Sequence, residues 1–319
     1  MRVAILFVLF ISSFSWAAAQ TPSADFLNNS EGIVFSPEYP EPQSTVKATV
    51  NNYNSLYSGA TIQWYINGEL APGTDNHREI EFVVGKAGQK IEVEAVLTPL
   101  VGPTKSLFKT ITPIYIDIVF EAQTHTPFFY EGRGLPSIGS LINATALIDS
   151  GSLLKEDLVY RWRVNQTVLE GGVIRGRNKV SFEMPRGSRS TVYLQVSRPS
   201  GDIIATRAII LPSVSPNVRF YEESALYGPL KHSISNDFFF TNSSLTLLAE
   251  PYNLDSRVFN NPDVVEWSIN NVDSTDSAGN PYRMVIQKTG GGGQSTIGFH
   301  VRSLSEILQG AKGGVRVKY

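Results

Sequence analysis

Apolar and polar residues alternate in short runs along most of this chain, and the sharpest alternation surrounds tryptophan. Ile62, Trp64 and Ile66 fall on one side of an extended segment, with Gln63, Tyr65 and Asn67 on the other. Tyr160, Trp162 and Val164 oppose Arg161, Arg163 and Asn165 in the same way, and Val265, Trp267 and Ile269 oppose Glu266, Ser268 and Asn270. A period of two with an aromatic on the apolar side predicts a strand with one face buried. An asparagine closes each run and is followed by Gly68, Gln166 or Asn271. Asn and Gly tolerate positive φ in tight turns, so each Trp strand is expected to end in a hairpin.

The three tryptophans stand 98 and 105 residues apart. That period is the length of one β-sandwich domain. Other short runs agree with it. Val46–Val50 precedes Trp64, and Ile80–Val84 and Ile91–Val96 follow. Leu141–Ala146 precedes Trp162, and Val180–Phe182, Thr191–Val196 and Ala205–Leu211 follow. Ser244–Ala249 precedes Trp267, and Met284–Gln287, Thr296–Val301 and Val315–Tyr319 follow. Short strands between Gly, Pro, Asn and Ser clusters predict an all-β chain of three tandem immunoglobulin-like β-sandwich domains. Thr112-Pro113 and Leu211-Pro-Ser-Val-Ser-Pro216 mark the boundaries, because proline stops a strand and stiffens a linker. The expected domains are 20–114, 115–214 and 215–319, arranged as a semi-rigid rod. Trp64, Trp162 and Trp267 are the expected core plugs, each placed where an inter-sheet disulfide would otherwise sit.

The first nineteen residues differ. Arg2 precedes an apolar stretch from Val3 to Phe14, and Ala17-Ala18-Ala19 follows. This order predicts a cleavable signal peptide over 1–19, since twelve apolar residues span only about 18 Å as a helix. No later segment is long and apolar enough for a transmembrane helix, so an extracellular or cell-envelope location is expected. The chain has no cysteine, which in an exported chain of Ig-like domains favours a bacterial source. A net charge of -2 and a charged fraction of 18% offer no footprint for nucleic acid. The sequons at Asn28, Asn143, Asn165 and Asn242 read as ordinary surface polar residues.

The first repeat resembles generic PKD-like or Ig-like bacterial modules through Tyr39-Pro-Glu-Pro42, Trp64-Tyr-Ile-Asn-Gly68 and the strand after Gly88. Three further segments, Phe120–Pro136, Val218–Gly228 and Leu247–Tyr252, resemble uncharacterised exported Ig-like proteins of candidate-phylum (Patescibacteria-type) bacteria. The likeness implies a cell-surface or pilus-associated component and supplies no site residues.

Candidate chemistry is sparse. His77, His125, His232 and His300 form no metal-ligating motif and sit beside no carboxylate pair in sequence, so no metal or other cofactor is expected. Asp273–Asn280 lacks the order of a calcium loop, Gly290–Gly293 lacks the Lys-Ser/Thr of a phosphate loop, and no Gly-x-Ser-x-Gly elbow is present. Tyr319 reads as the end of a sandwich strand rather than of a membrane barrel. Phe128, Phe129 and Tyr130 are the one aromatic cluster of interest. They are expected to pack between the first and second domains or, if exposed, to form a binding patch for sugar or protein. The reading that follows is a non-enzymatic surface or secreted scaffold with a protein or glycan partner at the cell surface. Its alternatives are a carbohydrate-binding or adhesive module and an accessory array of a secreted enzyme complex.

Overall fold

The structure is a computed structural model that describes residues 32–51, 54–151, 155–234, 237–274, 279–288 and 290–319. The signal-peptide expectation for 1–19 and the sequon at Asn28 lie outside these residues. The fold is all-β, built from sandwiches of antiparallel sheets, and among the described residues the one α-helix is the short Ser256–Asn260. By contact the chain divides into two compact units. One comprises the described residues 32–35 with Ala48–Ile80 and Glu92–Lys109; the other comprises Ser36–Lys47, Glu81–Ile91 and Thr110–Tyr319. The later two tryptophan repeats therefore lie whole within the second unit.

In the first unit Trp64 belongs to the strand Thr61–Ile66, which lies between Glu69–Leu70 and Ile91–Thr98, with Lys105–Ile111 at the edge. The second repeat carries the same order: Thr167–Arg175, Val159–Val164, Arg189–Ser197, Ile203–Pro212. Its other sheet runs Lys179–Glu183, Leu141–Asp149, Tyr115–Ala122. Alternation along Leu141–Asp149 buries Ile142, Ala144, Ala146 and Ile148 against Trp162, Leu194 and Val196. The third repeat adds a variation. Asp237–Phe239 joins the Trp267 sheet in parallel with Gly310–Lys318, while Gly228–Ser233 edges the opposite sheet. Its core joins Phe220, Leu247, Trp267, Phe299 and Val315.

One device recurs in all three repeats. Trp64, Trp162 and Trp267 are buried, and each indole N–H donates to a backbone carbonyl on the far side of the following loop: His77 at 2.9 Å, Arg177 at 3.4 Å and Pro281 at 2.9 Å. A buried indole carries a donor that must be satisfied, and the loop carbonyl meets that need. The asparagine three residues on sits at φ +52, +53 and +51 in Asn67, Asn165 and Asn270. In that left-handed conformation its backbone N–H and side-chain oxygen turn to one neighbour. Asn67 donates to Glu92 O (2.8 Å) and accepts from Glu92 N (3.0 Å). Asn165 does the same with Thr191 (2.7 and 2.9 Å), and Asn270 with Thr296 (2.8 and 2.9 Å). The Trp-x-[Ile/Val]-Asn pattern thus fixes a strand at two points, its indole to a loop and its asparagine to the neighbouring strand.

Candidate functional site

The segment between Tyr115–Ala122 and Leu141–Asp149 is the least regular part of the second repeat, and it builds the most polar region of the fold. Gln123 N donates to Leu141 O (2.8 Å), which closes the loop at its base. Thr124 then bridges to Asp255 as an isolated antiparallel pair. His125 N donates to Leu254 O (2.6 Å), Asn253 N to His125 O (2.9 Å) and Ser256 N to Gln123 O (2.9 Å). The loop of one sandwich is thus hydrogen-bonded to the segment that follows Ser244–Tyr252 in the next.

Asp255 is the hub. Its side chain has no exposed surface and accepts four hydrogen bonds: from Leu141 N (2.8 Å), from Arg257 N (2.8 Å), and from the Arg257 guanidinium at Nε and, through the other oxygen, Nη2. Two of these come from one guanidinium in the paired geometry that suits a carboxylate. The fifth link is through the backbone, where Asp255 N donates to Gln309 Oε1 (2.8 Å). The buried Gln309 amide then donates to Ser137 Oγ (3.1 Å) and Ile138 O (2.6 Å). The Asp255 hydrogen bond raises the Arg257 pKa further, so the guanidinium stays charged. A buried carboxylate is tolerated only with such full pairing.

Beside this hub, His125 Nε2 lies 2.7 Å from Glu250 Oε2. The His125 ring stacks on Phe259 (3.4 Å, 10° between planes), and Phe259 stacks on Tyr282 (4.6 Å). Burial, then the nearby Glu250 charge, pushes the Tyr282 hydroxyl well above the usual phenol range. His300 also has a carboxylate partner, Glu266, at 3.1 Å. Each of these histidines meets a single carboxylate, and Glu250 is 125 positions from His125, a separation at which sequence offers no signal.

The aromatic cluster departs from its expected placement. Phe129 and Tyr130 pack on the third repeat, not between the first and second. Phe129 meets Tyr221 edge-on at 5.0 Å, Tyr130 meets Tyr252 edge-on at 5.4 Å, and Phe128 is 86% exposed. The reason is strand length. Tyr115–Ala122 begins at the proline boundary and runs eight residues, about 26 Å, so the loop after it emerges at the opposite pole of the sandwich.

Tyr130, Tyr221 and Tyr252 line an open cleft of about 330 Å3 with Asn217, Arg219 and Asn253. Strand register places these groups together. Asn217 is paired with Tyr252, Arg219 with Glu250 and Tyr221 with Leu248, so they share the outer face of one sheet. The Tyr221 and Tyr252 hydroxyls lie 2.6 Å apart. Burial, and then this bond, raises the Tyr252 pKa.

Other singled-out positions fall elsewhere. The His77 carbonyl caps Trp64, and His232 is exposed. Asp273 pairs with Ser268 in the hairpin that turns at Asn270-Asn271, and residues 275–278 lie outside the described set. Gly293 exchanges backbone hydrogen bonds with Tyr319 (2.6 and 2.9 Å). Among the described residues no group of three His, Asp or Glu could hold a metal ion, and no helix is long and apolar enough to cross a membrane.

No protein-family model and no curated protein matches the chain. Solved structures similar to it include the fibronectin(III)-like modules of Clostridium thermocellum CbhA (8% identity, 57% of this chain and 93% of that one, TM-score 0.26). A Bacteroides ovatus SGBP-B in complex with a mixed-linkage heptasaccharide is another (12% identity, 91% and 66% covered, TM-score 0.23). A third is the central fibronectin-III array of RIM-binding protein (8% identity, 91% and 96% covered, TM-score 0.30).

Proposed function

We propose that this protein is an exported, non-enzymatic scaffold of immunoglobulin-like domains that works by contact, with the repeats at 115–214 and 215–319 acting together as one presenting unit. The Asp255–Gln309 network carries this reading. It spends the chain's most deeply buried polar side chains on joining two sandwiches, and leaves them no freedom for acid, base or nucleophile chemistry. The proline segment between the two repeats is tied down too. Ser213 N donates to Ser188 O (3.0 Å) and Val214 N to Pro136 O (2.8 Å), with Ser137 and Val214 in a parallel bridge. Rigid modules that hold a surface in fixed orientation reduce the ordering cost of binding a partner.

Limited proteolysis of the exported chain tests the joined unit. Cleavage near Thr112–Tyr115 should leave a resistant fragment from about residue 115 to 319, whereas early cleavage within Leu211–Asn217 would overturn the unit. Mass spectrometry of the protein recovered outside the cytoplasm tests export. An N-terminus at Gln20 is expected, and a chain retained inside the cell with residues 1–19 intact would remove the exported part of the reading.

A further inference from the structure

We propose that the cleft between the Phe129-Tyr130 loop and the outer sheet of the third repeat is a saccharide-binding site that seats a pyranose ring against Tyr130 and reads a sugar carboxylate with Arg219. It is independent of the scaffold reading, which stands or falls on the junction.

The cleft is built in a way that plain packing does not require. The Tyr130 ring is 45% exposed yet fixed on two sides. It stands at 89° to Tyr252, and any Cβ at Gly132 would lie 2.6 Å from its ring atoms, so glycine is the residue that lets the chain pass this close. Tyr130 N donates to Pro127 O (2.9 Å), which holds the turn that carries the ring. The result is an immobilised, half-open aromatic face, the element that stacks on the C–H face of a pyranose.

The polar groups around it include several free donors. The Tyr221 and Tyr252 hydroxyls share one hydrogen bond, so one of their two hydrogens is left over, and no acceptor among the described residues takes it. Asn253 Oδ1 already accepts from Leu135 N (2.9 Å), which leaves the NH2 of that amide. Asn217 and Arg219 are exposed and make no side-chain hydrogen bond or ion pair among the described residues. The carboxylate across the strand from Arg219, Glu250, is turned to His125 instead. A cleft of about 330 Å3 with an aromatic wall, several free donors and an uncommitted guanidinium fits a ligand with an apolar face, many oxygen acceptors and one negative charge. A uronic acid has that chemistry; a peptide side chain offers either the apolar face or the charge.

Saturation-transfer NMR on the whole exported chain tests this with glucuronic acid, galacturonic acid and glucose as probes and sodium acetate as competitor. Saturation of the ring protons of a uronic acid is expected. Arg219→Gln should weaken that binding about tenfold, the loss of one charged hydrogen bond, while leaving any glucose signal unchanged. Tyr130→Ala should abolish it, Tyr130→Phe should retain it, and Phe128→Ser should have no effect. Arg219→Gln removes an exposed side chain with no junction contact, so it remains decisive if Tyr130→Ala loosens the loop. Absence of transfer to both uronic acids, survival of binding in Tyr130→Ala with an unchanged melt, or full displacement by acetate at equal concentration would overturn the proposal.

Discussion

The three tryptophan strands and the Asp255 hub are both buried and hydrogen-bonded, yet they are made by opposite means. Each tryptophan strand uses local chemistry. Its indole reaches a carbonyl 13 to 15 residues away, and its asparagine reaches a strand 25 or 26 residues away. The hub uses distant chemistry: Asp255 meets Leu141 across 114 positions, and Gln309 meets Ser137 across 172. The first device occurs three times because every sandwich needs it. The second occurs once because it serves one junction. A repeated core and a singular junction are therefore separable, and mutations should divide them.

The largest effect belongs to the core. Trp162→Ala removes a side chain only 3% exposed and leaves the Arg177 carbonyl without its donor, so it should cost about 3–5 kcal/mol. Chemical denaturation with a probe in each repeat should show the second repeat failing first. A loss below about 1 kcal/mol would mean that the indole is not the pin described here.

Next is the hub. In Asp255→Asn the shape is kept, but one oxygen becomes NH2. Whichever way the amide turns, a donor then faces the Leu141 N–H or the Arg257 guanidinium. Each unsatisfied group costs about 1–3 kcal/mol, less on the Arg257 side, which water reaches. Hydrogen exchange should quicken at Leu141 and His125 while the protons within Val159–Val164 remain protected. Uniform loss of protection in both sandwiches would instead show that core and junction are one cooperative unit.

These two cases explain what was legible in the chain. Burial of Ile62 and Trp64 follows from alternation alone, and the left-handed asparagines follow from residue type, so fold class and core emerge from local pattern. The Phe129 contact with Tyr221 does not, because it depends on which pole of the sandwich a loop emerges from. Nor does the pairing of His125 with Glu250, in which neither neighbourhood carries a motif. Asp255 stands in no motif within Tyr252-Asn-Leu-Asp255, and its helix-capping position before Ser256–Asn260 is a structural role visible only in the fold. The cleft depends on the register of Asn217–Ser224 against Ser244–Tyr252, and a shift by one residue would send Arg219 and Tyr221 to the core side.

A middle-sized effect tests whether the asparagine pin is as general as the tryptophan. Asn165→Ala removes the acceptor of Thr191 N and places an ordinary residue at φ +53. The strain is roughly 1–2 kcal/mol, with the lost hydrogen bond about 1 more. Asn165→Gly should recover the strain part alone, because glycine accepts that φ. Equal stability of the Ala and Gly variants would show that backbone conformation contributes little, and that the side-chain acceptor accounts for the pin.

The smallest effect concerns the loop that carries Gln309 into the hub. Asp263 accepts from Leu304 N (2.7 Å) and Ser303 Oγ (2.8 Å), and these bonds, the backbone one foremost, hold its carboxyl below the usual range. A carboxyl with a depressed folded pKa stabilises the fold above its unfolded value, about 3.9, and loses that contribution as pH falls through the folded value. The loop Ser303–Gln309 should thus be fully pinned at neutral pH and loosen only in acid. Because Asp263 is exposed, solvent screening keeps the contribution to global stability small. The sensitive readout is local: protection of the Leu304 and Gln309 amides, relative to their intrinsic exchange rates, should fall below about pH 4, the ordinary carboxylate value, and be low at all pH in Asp263→Asn. If the junction protons at Leu141 loosen in the same pH window, the loop and the hub are coupled through Gln309. If they do not, the amide of Gln309 holds its place by its own bonds to Ser137 and Ile138, and the singular junction is more self-contained than the loop that delivers it.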